Sequence, residues 1–400
     1  MFPRASMTLA VILFAAAARG NEPELRTLTQ LHRFEGPVPG SQFGGALDLQ
    51  GRLTIVGAIN RGGRAYLYDV QSGEQLHEYL ANEETDTPYG GISVAIDDDQ
   101  ALIGRYSDDV FLRLPGSAFL VNTHTGEDEF HLRASDAVTS NNFGYSGDME
   151  SPFAVIGAPT ARTGGVSFGA AYVFDTATGS ELAKLAPDDA HEHQLFGLSV
   201  DVEGGLAVVG APQDDTLGEW AGAADLFDMA SGTQLFKLTA DDAESNNRFG
   251  ESVAIRDGLA IVGAPDLEAG SKSGAAYVFD VHTGEQLYKL TGDETARKVG
   301  GDVDIFGNLA LVGASGSPKG AAFLFDLRTG DQIAKLLAAD ASPASGFGQT
   351  VALNGRFAVI GAPADNSVYV FVVPEPSTAV LLLAGACVAV ASTARWRVIG

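Results

Sequence analysis

The stretch Asp188-Asp189-Ala190-His191-Glu192-His193 is the best metal-ligating candidate in the chain. Two imidazoles separated by one residue, with carboxylates beside them, can take zinc or another divalent ion, so Asp188, Asp189, His191 and His193 are the candidate ligands. The competing reading is an exposed polar turn. Carboxylates also recur at Asp214, Asp215, Asp241, Asp242 and Asp266, with Trp220 among them. Clustered carboxylate oxygens suit a hard cation such as calcium, while Asp residues in loops also cap turns. Trp220 could stack on a sugar or a partner, although packing over a neighbouring element is the expectation for so large an apolar side chain. No Gly-x-Ser-x-Gly elbow, phosphate-binding loop or His-Glu-x-x-His is present, and no strand–glycine–helix unit for a dinucleotide. Acidic residues number 51, so no glycosidase-like pair stands out from the rest.

Composition narrows the partners. A net charge of −26 repels nucleic acid and anionic lipid and leaves cations, basic proteins or neutral glycans. The one cysteine, Cys387, lies in the C-terminal apolar tail, which rules out an intramolecular disulfide, a Cys-based zinc site and a Cys catalytic centre in the body of the chain. The fold must rest on packing and sheet pairing, and the chain is expected to act as a monomer.

The elements that must position these loops follow from a repeat. Pairs at Phe43-Gly44, Gly90-Gly91, Phe143-Gly144, Phe196-Gly197, Phe249-Gly250, Val299-Gly300 and Phe347-Gly348 are each followed, fourteen residues from the first member, by another glycine. The repeats start near 43, 90, 143, 196, 249, 299 and 347, a period of 47 to 53 residues. Within the unit at Phe249–Leu290, Val253 and Ile255 alternate with small or polar neighbours, Asp257-Gly258 signals a hairpin, and Leu259–Val262 is a continuous apolar strand. Ala275–Asp280 and Glu285–Leu290 give two more strands around a Thr-Gly turn. A four-stranded unit of this length, repeated seven times, predicts an all-β protein, a seven-bladed β-propeller occupying residues 21–373. The seventh unit stops after Val373 without a fourth strand, and Gln30–Phe34 aligns with Gln286–Leu290, so the N-terminal strand should complete the last blade. Arg33, Lys184, Lys237, Lys289 and Lys335 share one position on the outer strands and read as protection of an exposed sheet edge. The long second-to-third loops and the crossings between blades lie on one face, which is the candidate binding face.

Both termini read as addresses. Residues 1–20 have a basic start at Arg4, an apolar Met7–Ala18 core and a small-residue cut site, as in a signal peptide. At the other end, Pro374-Glu375-Pro376 precedes an apolar run at 379–394 and the basic Arg395 and Arg397. This tripartite tail, 374–400, resembles the PEP-CTERM sorting signal. The resemblance implies handling by an exosortase-type processing enzyme, membrane contact only through 379–394, and residence at the cell envelope or outside the cell.

The Phe-Gly and Gly-Ala-Pro landmarks over residues 28–373 resemble the FG-GAP repeats of integrin α-subunit propellers and their bacterial relatives. Calcium-binding integrin repeats carry an Asp-x-Asp-x-Asp-Gly loop where this chain has only tight turns such as Asp257-Gly258, so that calcium loop is not carried over and no cofactor is implied. Gly-Ala-Ala-Tyr-Val-Phe-Asp-x-x-Thr-Gly at 169–179 and 274–284 is similar to quinoprotein repeats, but Leu182, Leu235 and Leu287 stand where those carry a docking tryptophan. The resulting expectation is an exported, non-enzymatic binding or adhesion module with a protein or glycan ligand. The alternatives are a propeller enzyme acting on extracellular polysaccharide and a mainly structural envelope protein.

Overall fold

The computed structural model describes residues 28–59, 63–80, 92–106, 115–138, 141–163, 165–266 and 273–373. The signal-like segment, the Pro374-Glu375-Pro376 motif, the 379–394 run, Arg395 and Arg397 lie outside the described residues. Among the described residues, no helix is long and apolar enough to cross a membrane.

Blade 5 shows how the repeat folds. Ser252–Arg256 turns through Asp257 and Gly258, both at positive φ (54° and 79°), into Leu259–Ala264. Positive φ at both turn residues is what a two-residue hairpin needs to match strand twist. Ala275–Asp280 then pairs with Leu259–Ala264, and Gln286–Leu290 forms the outer edge. The outer turn is set by Asp280, whose carboxylate accepts from the His282 and Thr283 amides while Gly284, at φ +72°, closes it. Seven four-stranded antiparallel sheets repeat this plan, with a small two-stranded hairpin at 162–167 added to blade 3. Their first strands (Phe43–Gln50, Ile92–Asp97, Ser146–Glu150, Val200–Glu203, Ser252–Arg256, Val299–Phe306 and Val351–Leu353) touch in sequence around a closed ring and form its inner wall.

The ring closes as expected. Thr29–Glu35 pairs antiparallel with Ser367–Val372 and supplies the fourth strand of blade 7. Phe34 is buried and stacks on Tyr68 of blade 1 with centroids 4.5 Å apart, so the strand also seals the blade 7–blade 1 boundary. Asn366 completes the seal, its side-chain carbonyl accepting from the Phe43 amide and the Ser41 hydroxyl.

The Phe-Gly pair is the centre of a tight turn. The amide two residues after the phenylalanine position donates to the carbonyl one residue before it, as in Tyr145 to Asn142, Leu198 to Leu195 and Glu251 to Arg248. The glycine sits at φ +82° to +92° in the six blades described there, the third-residue conformation of a type II turn. The phenylalanine packs edge-on against third-strand aromatics of its own blade, Phe249 on Phe279 at 5.7 Å and Phe143 on Phe174 at 5.8 Å. The second glycine of each repeat meets the next blade. A Cβ on Gly157, Gly210 or Gly263 would stand 2.1 Å from the carbonyl oxygen of Gly197, Gly250 or Gly300.

The outer-strand cations have another role than the one expected. Lys184, Lys237 and Lys335 reach 2.6 Å, and Lys289 2.5 Å, to Asp136, Asp189, Asp293 and Asp242, while Arg33 reaches Asp340 at 2.6 Å. Each ties an outer strand to the crossing that enters its own blade. The edge is blunted instead by a bulge in every outer strand, at Leu31, Leu76, Glu129, Leu182, Leu235, Leu287 and Ile333.

Two substitutions separate turn strain from blade contact. Gly205→Ala, at φ +83° with open space around it, should cost about 1–2 kcal/mol from backbone strain alone. Gly250→Ala at φ +92° would also place a Cβ 2.2 Å from the Ala223 carbonyl oxygen, so its urea midpoint should fall at least twice as far. Equal midpoints would show that the blade boundary is not limiting. Deleting residues 28–35 should lower the melting temperature sharply, and an unchanged value would contradict the seal.

Candidate binding site

The type II turns ring the axis on the face that carries the crossings, and they open a funnel of about 550 Å³ lined by residues of all seven blades. The residue after each turn glycine faces this space: Gly45, Tyr145, Leu198, Glu251, Gly301 and Gln349. The residue before each phenylalanine position is itself left-handed, with φ near +55° at Gln42, Asn142, Leu195, Arg248 and Lys298. These positions differ from blade to blade while the Phe-Gly pair between them stays nearly constant.

One step deeper is a ring of hydroxyls. Ser93, Ser146, Ser199, Ser252 and Thr350 each donate to the carbonyl of the turn glycine in the following blade, at 2.7–3.2 Å. Two residues further in stand Asp48, Asp148, Asp201 and Asp304. Their carboxylates accept from the amides of Ile96, Val202, Ile255 and Leu353 in the next blade, at 2.5–2.9 Å. Asp302 does the same with Val351 at 2.7 Å. The inner strands of neighbouring blades do not pair as a sheet, so these side chains stitch them together.

Enclosure by the ring of strands pushes the Asp48 and Asp302 carboxyls up to about 7, and raises Asp148, Asp201 and Asp304 as well. Mutual repulsion adds to desolvation at Asp48, Asp201 and Asp304, with Asp148 the chief neighbour acting on Asp201. Arg256 sits near this group, its guanidinium acting on Asp201, Glu203, Asp304 and Asp148. Sequence reasoning passed over these residues because carboxylates are common in the chain. The available signal was their register: Asp48, Asp148, Asp201 and Asp304 all lie five residues after the first member of the repeat pair.

The candidate metal ligands do not converge. Asp189 is held by Lys237, the Asp188 amide donates to Gln234, His191 Nε2 accepts from the Asp215 amide, and exposed His193 stands 3.7 Å from Glu192. Among the described residues no group of three or more His, Cys, Asp or Glu is placed to hold a metal ion. Asp214 is buried and braces the loop below Trp220: it accepts from Lys237, Gln194 and the Thr216 amide, and the lysine holds its carboxyl low against desolvation. Asp225 takes the place that Tyr172 and Tyr277 hold in blades 3 and 5, and burial pushes its carboxyl up to about 8. Asp242 accepts from Lys289 and the Tyr277 hydroxyl, the Asp241 amide donates to Gln286, and Asp266 is buried at φ +46°. Much of the acidic crossing face is thus neutralised by the strands beneath it.

Trp220 departs from the expected burial. It is 43% exposed, at φ +53°, where a bulky side chain is strained. Its amide donates to Asp215 at 2.7 Å and its carbonyl accepts from the Arg248 amide at 3.0 Å. The Asn246 and Phe249 amides hold the carbonyls on either side. The loop therefore keeps an aromatic side chain in solvent beside the turn of blade 5.

The inner carboxyls give the fold a pH dependence. Their raised values mean that the folded chain keeps protons that the unfolded chain releases near pH 4, so stability falls as pH rises from about 4 through about 7. The melting temperature should be higher near about pH 5 than near about pH 8, and Asp201→Asn should flatten that difference. A profile that rises over this range, or is the same in the variant, would contradict the assignment.

The family model described as the FG-GAP repeat matches residues 127–174, 180–227, 233–279 and 331–371. Each match begins on the outer strand of one blade and runs into the third strand of the next, so the sequence repeat is offset by one strand from the structural blade. No curated protein matches the chain. Four stretches of the chain thus match the FG-GAP repeat, and they lie within a closed β-propeller of seven four-stranded blades.

Proposed function

We propose that the protein is an exported, non-enzymatic binding or adhesion module that presents its crossing face, with the funnel at the centre, to a ligand outside the cell. The FG-GAP propeller fold is consistent with such a role. The observation that carries the reading is the division of labour in the funnel. The hydroxyls of Ser93, Ser146, Ser199, Ser252 and Thr350 and the carboxylates of Asp48, Asp148, Asp201 and Asp304 are committed to backbone groups of the next blade. What varies, and stands free of that stitching, is the mouth. In this reading the first 20 residues direct export, and the segment 374–400, processed by an exosortase-type enzyme, fixes the protein at the envelope or releases it.

A second reading, an enzyme acting on extracellular polysaccharide, draws on the neighbouring Asp148 and Asp201, whose carboxyls are both raised. Their bonds to the Val202 and Ile255 amides favour the structural role. The two readings part in one assay. Beads coated with the full chain should adhere to envelope preparations of the source cells, with adhesion weakened by changes at Arg248 and Glu251 and kept in Asp148→Asn. Absence of adhesion would overturn the binding reading. Release of reducing sugar from those preparations, lost in Asp148→Asn, would establish the enzyme.

A further inference from the structure

The funnel is lined on blade 3 by an exposed aromatic ring and on blade 5 by a carboxylate paired with a guanidinium. Tyr145, 41% exposed, lines the funnel and lies 5.3 Å, ring to ring, from Tyr106. Two blades round, Glu251 lines the same space and is held by the Arg248 guanidinium at 2.8 Å. Tyr145 and Glu251 therefore face one cavity from blades 3 and 5. Arg248 is joined through its amide to the carbonyl of Trp220, which places the exposed indole on the adjoining loop.

Resting on the binding reading above, we propose that this mouth is a saccharide site, and that its ligand is a neutral pyranose at the end or along the chain of an extracellular glycan. A pyranose ring has an apolar C–H face that packs on an aromatic ring and an edge of adjacent hydroxyls. The exposed Tyr145 ring supplies the first contact, with Trp220 on the adjoining loop as a nearby reporter. A guanidinium and a carboxylate held side by side supply a donor fork and an acceptor pair for neighbouring hydroxyls. Because Arg248 and Glu251 already hold each other, little side-chain freedom is lost on binding. The ring serines add acceptors, since each hydroxyl donates its proton to a glycine carbonyl and keeps lone pairs for the lumen. A volume of about 550 Å³ lies within the roughly 300–1,000 Å³ of small-ligand sites.

Charge selects the neutral class. Glu251 lines the funnel and the chain carries a net charge of −26, so a uronate or sulfated sugar meets a negative field. Lys298, which lines the funnel, opposes an amino sugar or a basic peptide from the other side.

The chain has two tryptophans, so full-length protein carrying Trp396→Phe leaves Trp220 as the fluorescent reporter. It would be titrated with neutral gluco- and manno-oligosaccharides, and with uronate oligosaccharides as the charged arm. The expected result is a saturable change in Trp220 emission with at least one neutral series and none with the uronates. Tyr145→Ala and Arg248→Ala should weaken binding by about ten-fold or more, as removal of a central anchor does, while Leu182→Ala on the outer rim should not. Variants are compared only where melting shows them folded, and Tyr145→Leu and Arg248→Lys serve if an alanine form does not fold. Silence with every neutral oligosaccharide, by fluorescence and by calorimetry, would overturn the proposal, as would binding that Tyr145 and Arg248 do not affect. Beads that adhere to envelope preparations but are not competed by these sugars would also sink it, and would point to a protein ligand with the binding reading intact.

Discussion

At every described blade boundary near the axis, two backbones meet with no side chain between them. The turn glycine of one blade lays its carbonyl against the second glycine of the blade before, at a distance that leaves no room for a Cβ. That approach fixes much else. It requires glycine at both positions, one of them also because of its φ near +87°. It brings the turn carbonyl within reach of a serine hydroxyl on the preceding inner strand. It also sets the inner strands close enough for an aspartate of one blade to accept from an amide of the next. Polar stitching joins inner strands that make no sheet hydrogen bonds with one another. The core between blades stays apolar, built of clusters that each draw on two adjacent sheets.

The outside of the ring is held by a second repeated device. The crossing that enters a blade carries an aspartate, and the outer strand of that blade carries the cation that meets it. The pairs are partly exposed, so each contributes modestly, about 0–1 kcal/mol. Their effect is geometric. They draw the long crossings onto the sheet edge and settle where the variable loops stand. The Lys237 pair goes further, since Asp214 is buried and so ties the loop beneath Trp220 to the same lysine. A chain of −26 net charge can carry so acidic a face because many of those charges are answered locally.

How much of this the sequence discloses depends on whether a residue acts within its own repeat or across a boundary. The strand order, the hairpin at Asp257-Gly258 and the closure by Gln30–Phe34 are legible because each is a local pattern or an offset between copies. The lysines are visible as a column but their partners are not, because these lie some 42–48 residues away on a crossing whose path the sequence does not show. The inner aspartates were hidden in plain composition: Asp148 looks like any strand carboxylate until the next blade's amide is placed against it. The His191 and His193 pair misled in the opposite way. Two imidazoles close in sequence suggested convergence, whereas positive φ at His193 (72°) and the bond from Asp215 to His191 turn them to different tasks. Trp220 was expected inside, and only the clamped, strained loop shows why it is not.

The same turn that builds the ring also explains why recognition can change without disturbing it. In the type II turn the two central residues are fixed by packing and by φ, while the residue after the glycine lines the funnel. Substitution there alters the mouth and leaves the glycine contact intact. The sequence behaves accordingly: the Phe-Gly pair persists in five of the seven units, yet the residues flanking it run from Gln42 and Gly45 to Arg248 and Glu251. One structural constant therefore generates a set of independent positions around a common cavity. The blade 3 to blade 5 sector is where those positions carry aromatic and bidentate polar groups together. Strain at Trp220 is tolerated there because three backbone hydrogen bonds, the Asp215 carboxylate and the Asp214–Lys237 pair hold the loop.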